Sequence, residues 1–103
     1  MNKERDAEFE LIKQSADLLE QRLLSADRKV VEEAEQDLSE NAKKLRKWAD
    51  KHGVVLSRHV SDPAGGVEVR RWCAATKTVT IDGKVKTCVL IGREGLRCLY
   101  DCS

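Results

Sequence analysis

The chain has 103 residues, of which 36% are charged and 41% hydrophobic, and its aromatic content is 4%. That length suits one small domain with a modest core. No stretch approaches the ~20 consecutive apolar residues of a membrane-spanning helix. The first fifteen residues lack the apolar centre of a secretory signal, so a cytoplasmic protein without a membrane association is expected.

No glycine precedes Gly53, and the first 52 residues are rich in Glu, Lys, Ala, Leu, Gln and Arg, all good helix formers. Phe9, Ile12, Ala16, Leu19, Leu23, Ala26 and Val30 recur at alternating spacings of three and four. Such a seam buries against another helix. A second seam runs through Val31, Ala34, Leu38, Asn41, Leu45, Trp48 and His52, out of phase with the first by one residue. Two arrangements satisfy this break. One is a continuous helix about 70 Å long, which needs a partner chain to cover its seam. The other is a helical hairpin turning near Ser25-Ala26-Asp27, where Ser25 or Asp27 can cap a second helix. The hairpin is preferred. In either case Phe9, Ile12, Leu19, Leu23, Val30, Leu38, Leu45 and Trp48 form the expected seam of a homo-oligomer, a dimer first of all. Gly53 follows Lys51-His52 and reads as a left-handed helix cap. Residues 1–52 are thus a helical oligomerisation region, and residues 53–103 a small β region packed on it.

Beyond Gly53 the hydrophobic period falls from about 3.6 to 2. Val54–Val60 is a strand candidate, residues 61–66 have loop composition, and Val67–Ala74 alternates again. Asp82-Gly83 is a strong signal for a two-residue hairpin. That turn puts Val79, Ile81, Cys88 and Leu90 on one face, and Thr78, Thr80, Val85, Thr87, Val89 and Ile91 on the other. Both faces are partly apolar, so both should be covered. After a turn at residues 92–95, Leu96–Cys102 alternates except at Leu99. The expected fold is α+β, with helices first and an antiparallel meander of four or five strands second.

Nineteen basic and eighteen acidic residues give a net charge of +1, but the distribution is uneven. Residues 1–40 hold six Lys/Arg and twelve Asp/Glu, a net of −6, whereas residues 41–103 hold thirteen and six, a net of +7. The candidate surface for a partner or polyanion comprises Lys43, Lys44, Arg46, Lys47 and Lys51 on the second helix, Arg58, Arg70, Arg71 and Trp72 beyond it, and Lys84 and Lys86 in the hairpin. Trp48 and Trp72 would stack on a base if exposed, but Trp48 lies on the seam and reads as core.

Cys73, Cys88, Cys98 and Cys102 all fall late in the chain, with a spacing unlike the tight knuckles of zinc sites. The preferred reading makes them small buried hydrophobes. Disulfides, and a zinc site of four thiolates in which His52 or His59 could replace one ligand, are the alternatives. No metal, cofactor or catalytic residue is expected, because none of the catalytic or nucleotide-binding motifs is present. The function expected is that of a non-enzymatic binding protein acting through protein–protein contacts as an oligomer, in the manner of a small inhibitor or adaptor from a phage or other mobile element. The alternative is a regulator that binds nucleic acid or another polyanion through residues 43–97.

Overall fold

A computed structural model describes residues 3–62, 73–95 and 97–103. The helical half is a hairpin, as the out-of-phase seams favour. Helix α1 spans Lys3–Leu23 and helix α2 spans Arg28–His52. Between them Asp27 holds an extended backbone, and its carboxylate accepts the Lys29 N–H at 2.9 Å, satisfying a donor left free by the first turn of α2. At the other end Gly53 has φ 64°, and the Val54 N–H reaches back 2.8 Å to the Ala49 carbonyl.

Four antiparallel strands follow, β1 (Ser57–Ser61), β2 (Thr76–Ile81), β3 (Lys84–Glu94) and β4 (Arg97–Cys102). The sheet order is β1-β4-β3-β2. Thus β2, β3 and β4 form a meander, and β1 joins the far side of β4. The first strand starts three residues later than the alternation suggests, at Ser57 instead of Val54. The expected strand Val67–Ala74 lies largely outside the described residues, and Cys73 and Ala74 at its end are not in a strand. Asp82 and Gly83 both have positive φ, 51° and 78°, which matches their turn to the twist of the flanking strands.

The core is one continuous packing of hairpin against sheet in two clusters. Ile12, Ala16, Ala42, Leu45, Trp48 and Ala49 pack with Ala75, Val89 and Ile91. Leu19, Ala34 and Leu38 join the four cysteines, Leu90 and Tyr100. Consecutive residues of β3 therefore alternate between the clusters, and Cys88 to Ile91 are all buried. Both faces are covered along Cys88–Ile91, but nearer the turn Thr78, Thr80 and Val85 of the second face are exposed. The same geometry explains Leu99, whose side packs against the first cluster instead of facing solvent.

Two expectations change. The seam assigned to self-association is buried within the single chain, with Ile12, Leu19, Leu38, Leu45 and Trp48 all in the core. A hairpin lets each seam face the other and the sheet, so no second copy is needed to cover them. The cysteines are not free thiols but two disulfides, Cys73–Cys98 and Cys88–Cys102. Thr87 and Ser103 exchange both backbone hydrogen bonds, so the adjacent register pair Cys88 and Cys102 occupies the non-bonded position where strands approach most closely. Cys98 and Cys102 share a strand face four residues apart, about 13 Å, with Tyr100 between them. One tetrahedral ion cannot reach both pairs.

Candidate interaction groove on the helical hairpin

Folding α1 back along α2 brings the acidic and basic segments of the chain side by side. Several charges neutralise each other. Lys51 Nζ donates to Glu4 and Glu8 at 2.9 and 2.8 Å, and His52 Nε2 lies 2.9 Å from the second Glu8 oxygen. Arg22 pairs with Asp37, Lys43 with Glu40, and Arg93 with Glu35. Arg58 pairs at 3.2 Å with the buried Asp101, its register partner on β4. The hydrogen bond from Lys51, reinforced by His52, holds the Glu8 carboxyl down at about 2, while Lys51 is pushed up by its bonds to Glu8 and Glu4. A carboxyl depressed below its ordinary value of 4.5 adds stability above that pH and loses it as pH falls toward 2. The gap in urea midpoint between wild type and Glu8→Gln should accordingly be constant above pH 4.5 and narrow below it. A gap independent of pH would mean that Glu8 contributes packing alone.

The charges that remain sit beside exposed apolar side chains. Leu11 is 63% exposed and Leu18 73%, one seven-residue step apart on α1 and off its buried seam. With Ser15 between them they form one wall of a groove running along the hairpin. Lys44 and Lys47 on α2 form the other wall. The groove has two connected parts, of about 420 and 300 Å³, which share Ser15, Asn41 and Lys44. Lys44, Arg46 and Lys47 make no ion pair among the described residues, and neither does Asp17, one position before Leu18 on α1.

Asn41 stands where the two parts of the groove meet. It is 4% exposed, and its Nδ2 donates to the Ile12 carbonyl at 3.1 Å. Its Oδ1 is buried without a partner among the described residues. Such an atom carries a desolvation cost.

Of the basic candidates, the hairpin thus gathers Lys44, Lys47 and Lys51 at one groove, with Lys51 already neutralised. Arg46 and Lys43 are exposed on the same helix. Lys84 and Lys86 lie away in the β2–β3 hairpin, so the eleven candidates do not make a single patch. Arg70, Arg71 and Trp72 lie outside the described residues. Trp48 is 6% exposed; it stacks on Phe9 with ring centroids 4.7 Å apart and donates its indole N–H to the Arg5 carbonyl at 2.8 Å. It is a core residue, with no face free for a base. The heptad reading passed over Leu11, Ser15 and Leu18, although a leucine pair seven apart and off the seam is itself a second helical stripe.

Comparison with protein-family models, with curated proteins and with solved structures finds no match for this chain.

Proposed function

We propose that this is a small non-enzymatic binding protein that acts by protein–protein contact, and that its groove takes helix α1 of a second copy. The observation that carries the reading is the exposed Leu11–Leu18 stripe facing Lys44 and Lys47, which make no ion pair among the described residues. A two-fold axis passing midway between Leu11 and Leu18 would lay Leu18 of one copy beside Leu11 of the other. It would also bring Asp17 of each copy to the level of Lys44 across the interface. Such an isologous contact uses each residue twice, and it pairs the acidic helix of one copy with the basic one of the other. The result is a four-helix dimer with both sheets left outward for an inhibitor- or adaptor-type contact.

Burying the exposed parts of four leucines contributes roughly 1–2 kcal/mol each, against an association cost of about 4 kcal/mol or more. The dimer should therefore be weak, with a dissociation constant in the millimolar range. Sedimentation velocity over a concentration series crossing that range should show reversible dimerisation. Leu18→Glu should hold the chain monomeric, Lys44→Glu should weaken the dimer, and adding Asp17→Lys to Lys44→Glu should restore it. A wild type that stays monomeric throughout, or a Leu18→Glu variant that dimerises unchanged, overturns the reading.

Two further points support a binding role. All four cysteines are disulfide-bonded and thus not nucleophiles, and the His52–Glu8 pair is part of a surface ion network with no nucleophile in it. The disulfides also bear on location. Two buried disulfides in so small a chain fit an oxidising compartment better than the cytoplasm expected from its N-terminal residues. No helix among the described residues is long and apolar enough to cross a membrane.

A further inference from the structure

The sheet carries a second charged surface, away from the helical groove. On β1 the side chains of Ser57, His59 and Ser61 alternate onto the face that also bears Cys102, Tyr100 and Cys98, their register partners on β4. Lys86 on β3 and Lys77 on β2 share that face through the same registers. Lys77 Nζ reaches the Ser61 hydroxyl at 3.3 Å, and Lys86 Nζ reaches the Ser57 hydroxyl at 3.1 Å. In a flat sheet β2 would stand about 14 Å from β1, three strand spacings away, beyond the reach of these side chains. The sheet must therefore coil over this face and make it concave. Lys77 also lies over the Tyr100 ring, 5.3 Å from its centroid, and Lys84 stands on the same face by its pairing with Ile81.

The chemistry of this surface is unusual in what holds the lysines. Each is half-buried and bonded to a hydroxyl instead of a carboxylate. A hydroxyl leaves the ammonium charge uncompensated, and each ammonium keeps two further N–H donors. The four strands place no carboxylate on this part of the face among the described residues. Glu20, whose field acts on the Tyr100 hydroxyl, is occupied by the Ala75 N–H at 2.6 Å. Ser57, having accepted from Lys86, still has its own hydrogen to donate, whereas the Ser61 hydroxyl is engaged by the Tyr100 hydroxyl as well as by Lys77. Between them His59 offers a ring nitrogen, its ring 6.1 Å from that of Tyr100.

We infer that this concave sheet face, with Lys86–Ser57 at one end, His59 in the middle and Lys77–Ser61 at the other, binds a linear chain of phosphate groups. Ser57 and Ser61 are four residues apart on a strand, about 13 Å. That separation is too long for one tetrahedral anion to bridge, and it suits successive anionic groups along an extended chain. Lysine serves such groups as a point charge, and the intermediate position at His59 falls on the same line. The inference does not rest on dimerisation, because every group named belongs to one chain.

The test uses the disulfide-intact protein with two probes, a labelled oligothymidylate read by fluorescence anisotropy and long-chain inorganic polyphosphate read by calorimetry. Both should bind at low salt. Replacing both Lys77 and Lys86 with Gln should weaken binding on the order of tenfold, and lower the salt slope for the oligonucleotide by about 1.4, the share of two cations on a single strand. Lys44→Gln with Lys47→Gln should leave both affinities within about twofold, since a distant cation adds only a screened term. The monomeric Leu18→Glu variant should bind as wild type does per chain, which separates this inference from the dimer. Matching circular dichroism and urea midpoints for the sheet variants would exclude loss through unfolding. Absence of binding by both probes overturns the inference. So does an equal loss from the helix pair, or binding of the oligonucleotide without polyphosphate, which would place recognition on bases.

Discussion

Reduction of both disulfides is expected to remove most of the stability of this protein. The disulfides close segments of 25 and 14 residues. By the chain-entropy relation, constraints of those lengths are each worth about 3 kcal/mol. Their sum is comparable with the total stability of many small domains, about 5–15 kcal/mol. The effect should be concentrated in the sheet, because Cys88–Cys102 joins its two central strands and Cys73–Cys98 anchors the chain entering β2. Urea unfolding followed by far-ultraviolet circular dichroism, with and without reductant, measures it directly. Reductant keeps all four sulfur atoms in the core, so it isolates the cross-link from the cavity that alanine would leave. Replacing one pair at a time then apportions the loss. An unchanged midpoint on full reduction would mean that packing of the cysteine side chains, and not their bonds, holds this cluster.

Trp48→Ala should be the most damaging single substitution on the helical side, at about 3–5 kcal/mol. Trp48 links three parts of the molecule. Its ring belongs to the cluster with Leu45, Val89 and Ile91, it stacks on Phe9, and its N–H ties α2 to the first turns of α1 through the Arg5 carbonyl. Trp48→Phe keeps an aromatic ring against Phe9 but loses that hydrogen bond, so a smaller loss is expected, about 1 kcal/mol from the bond plus a term for the smaller ring. Urea midpoints of the two variants give both numbers. Equal losses would place all of the effect in the indole hydrogen bond and ring size, and a loss for Trp48→Ala below about 1 kcal/mol would show that the site collapses without cost.

The parts legible in the amino-acid sequence were those set by neighbours close along the chain. Two heptad seams in different phase specified helix over residues 1–52 and favoured a hairpin over one long helix, Ser25 or Asp27 and Gly53 offered the bounds of its second helix, and Asp82-Gly83 placed the β-hairpin. The alternation on either side of that turn also assigned Val79 and Cys88 to one face and Val89 to the other. Each of these signals acts within a few residues, through dihedral preference or a repeat of 2 or 3.6. The bipolar charge was equally plain, but its consequence was not.

Tertiary structure alone decided what met what. Whether a seam closes on its own hairpin or on another chain depends on a turn at residues 24–27 that has no glycine or proline to announce it. The pairing of Cys88 with Cys102 follows from the β3–β4 register, and that of Cys73 with Cys98 from the path of the chain into β2, neither of which is a local property. The same holds for charge. Glu8 and Lys51 are neutralised because the hairpin brings residues 43 positions apart within 2.8 Å, while Lys44 and Lys47 are left beside Leu11 and Leu18. A net charge of +1 describes the sum; only the fold determines which charges cancel and which remain to meet a partner, because Coulomb attraction depends on distance in space and is screened within about 10 Å.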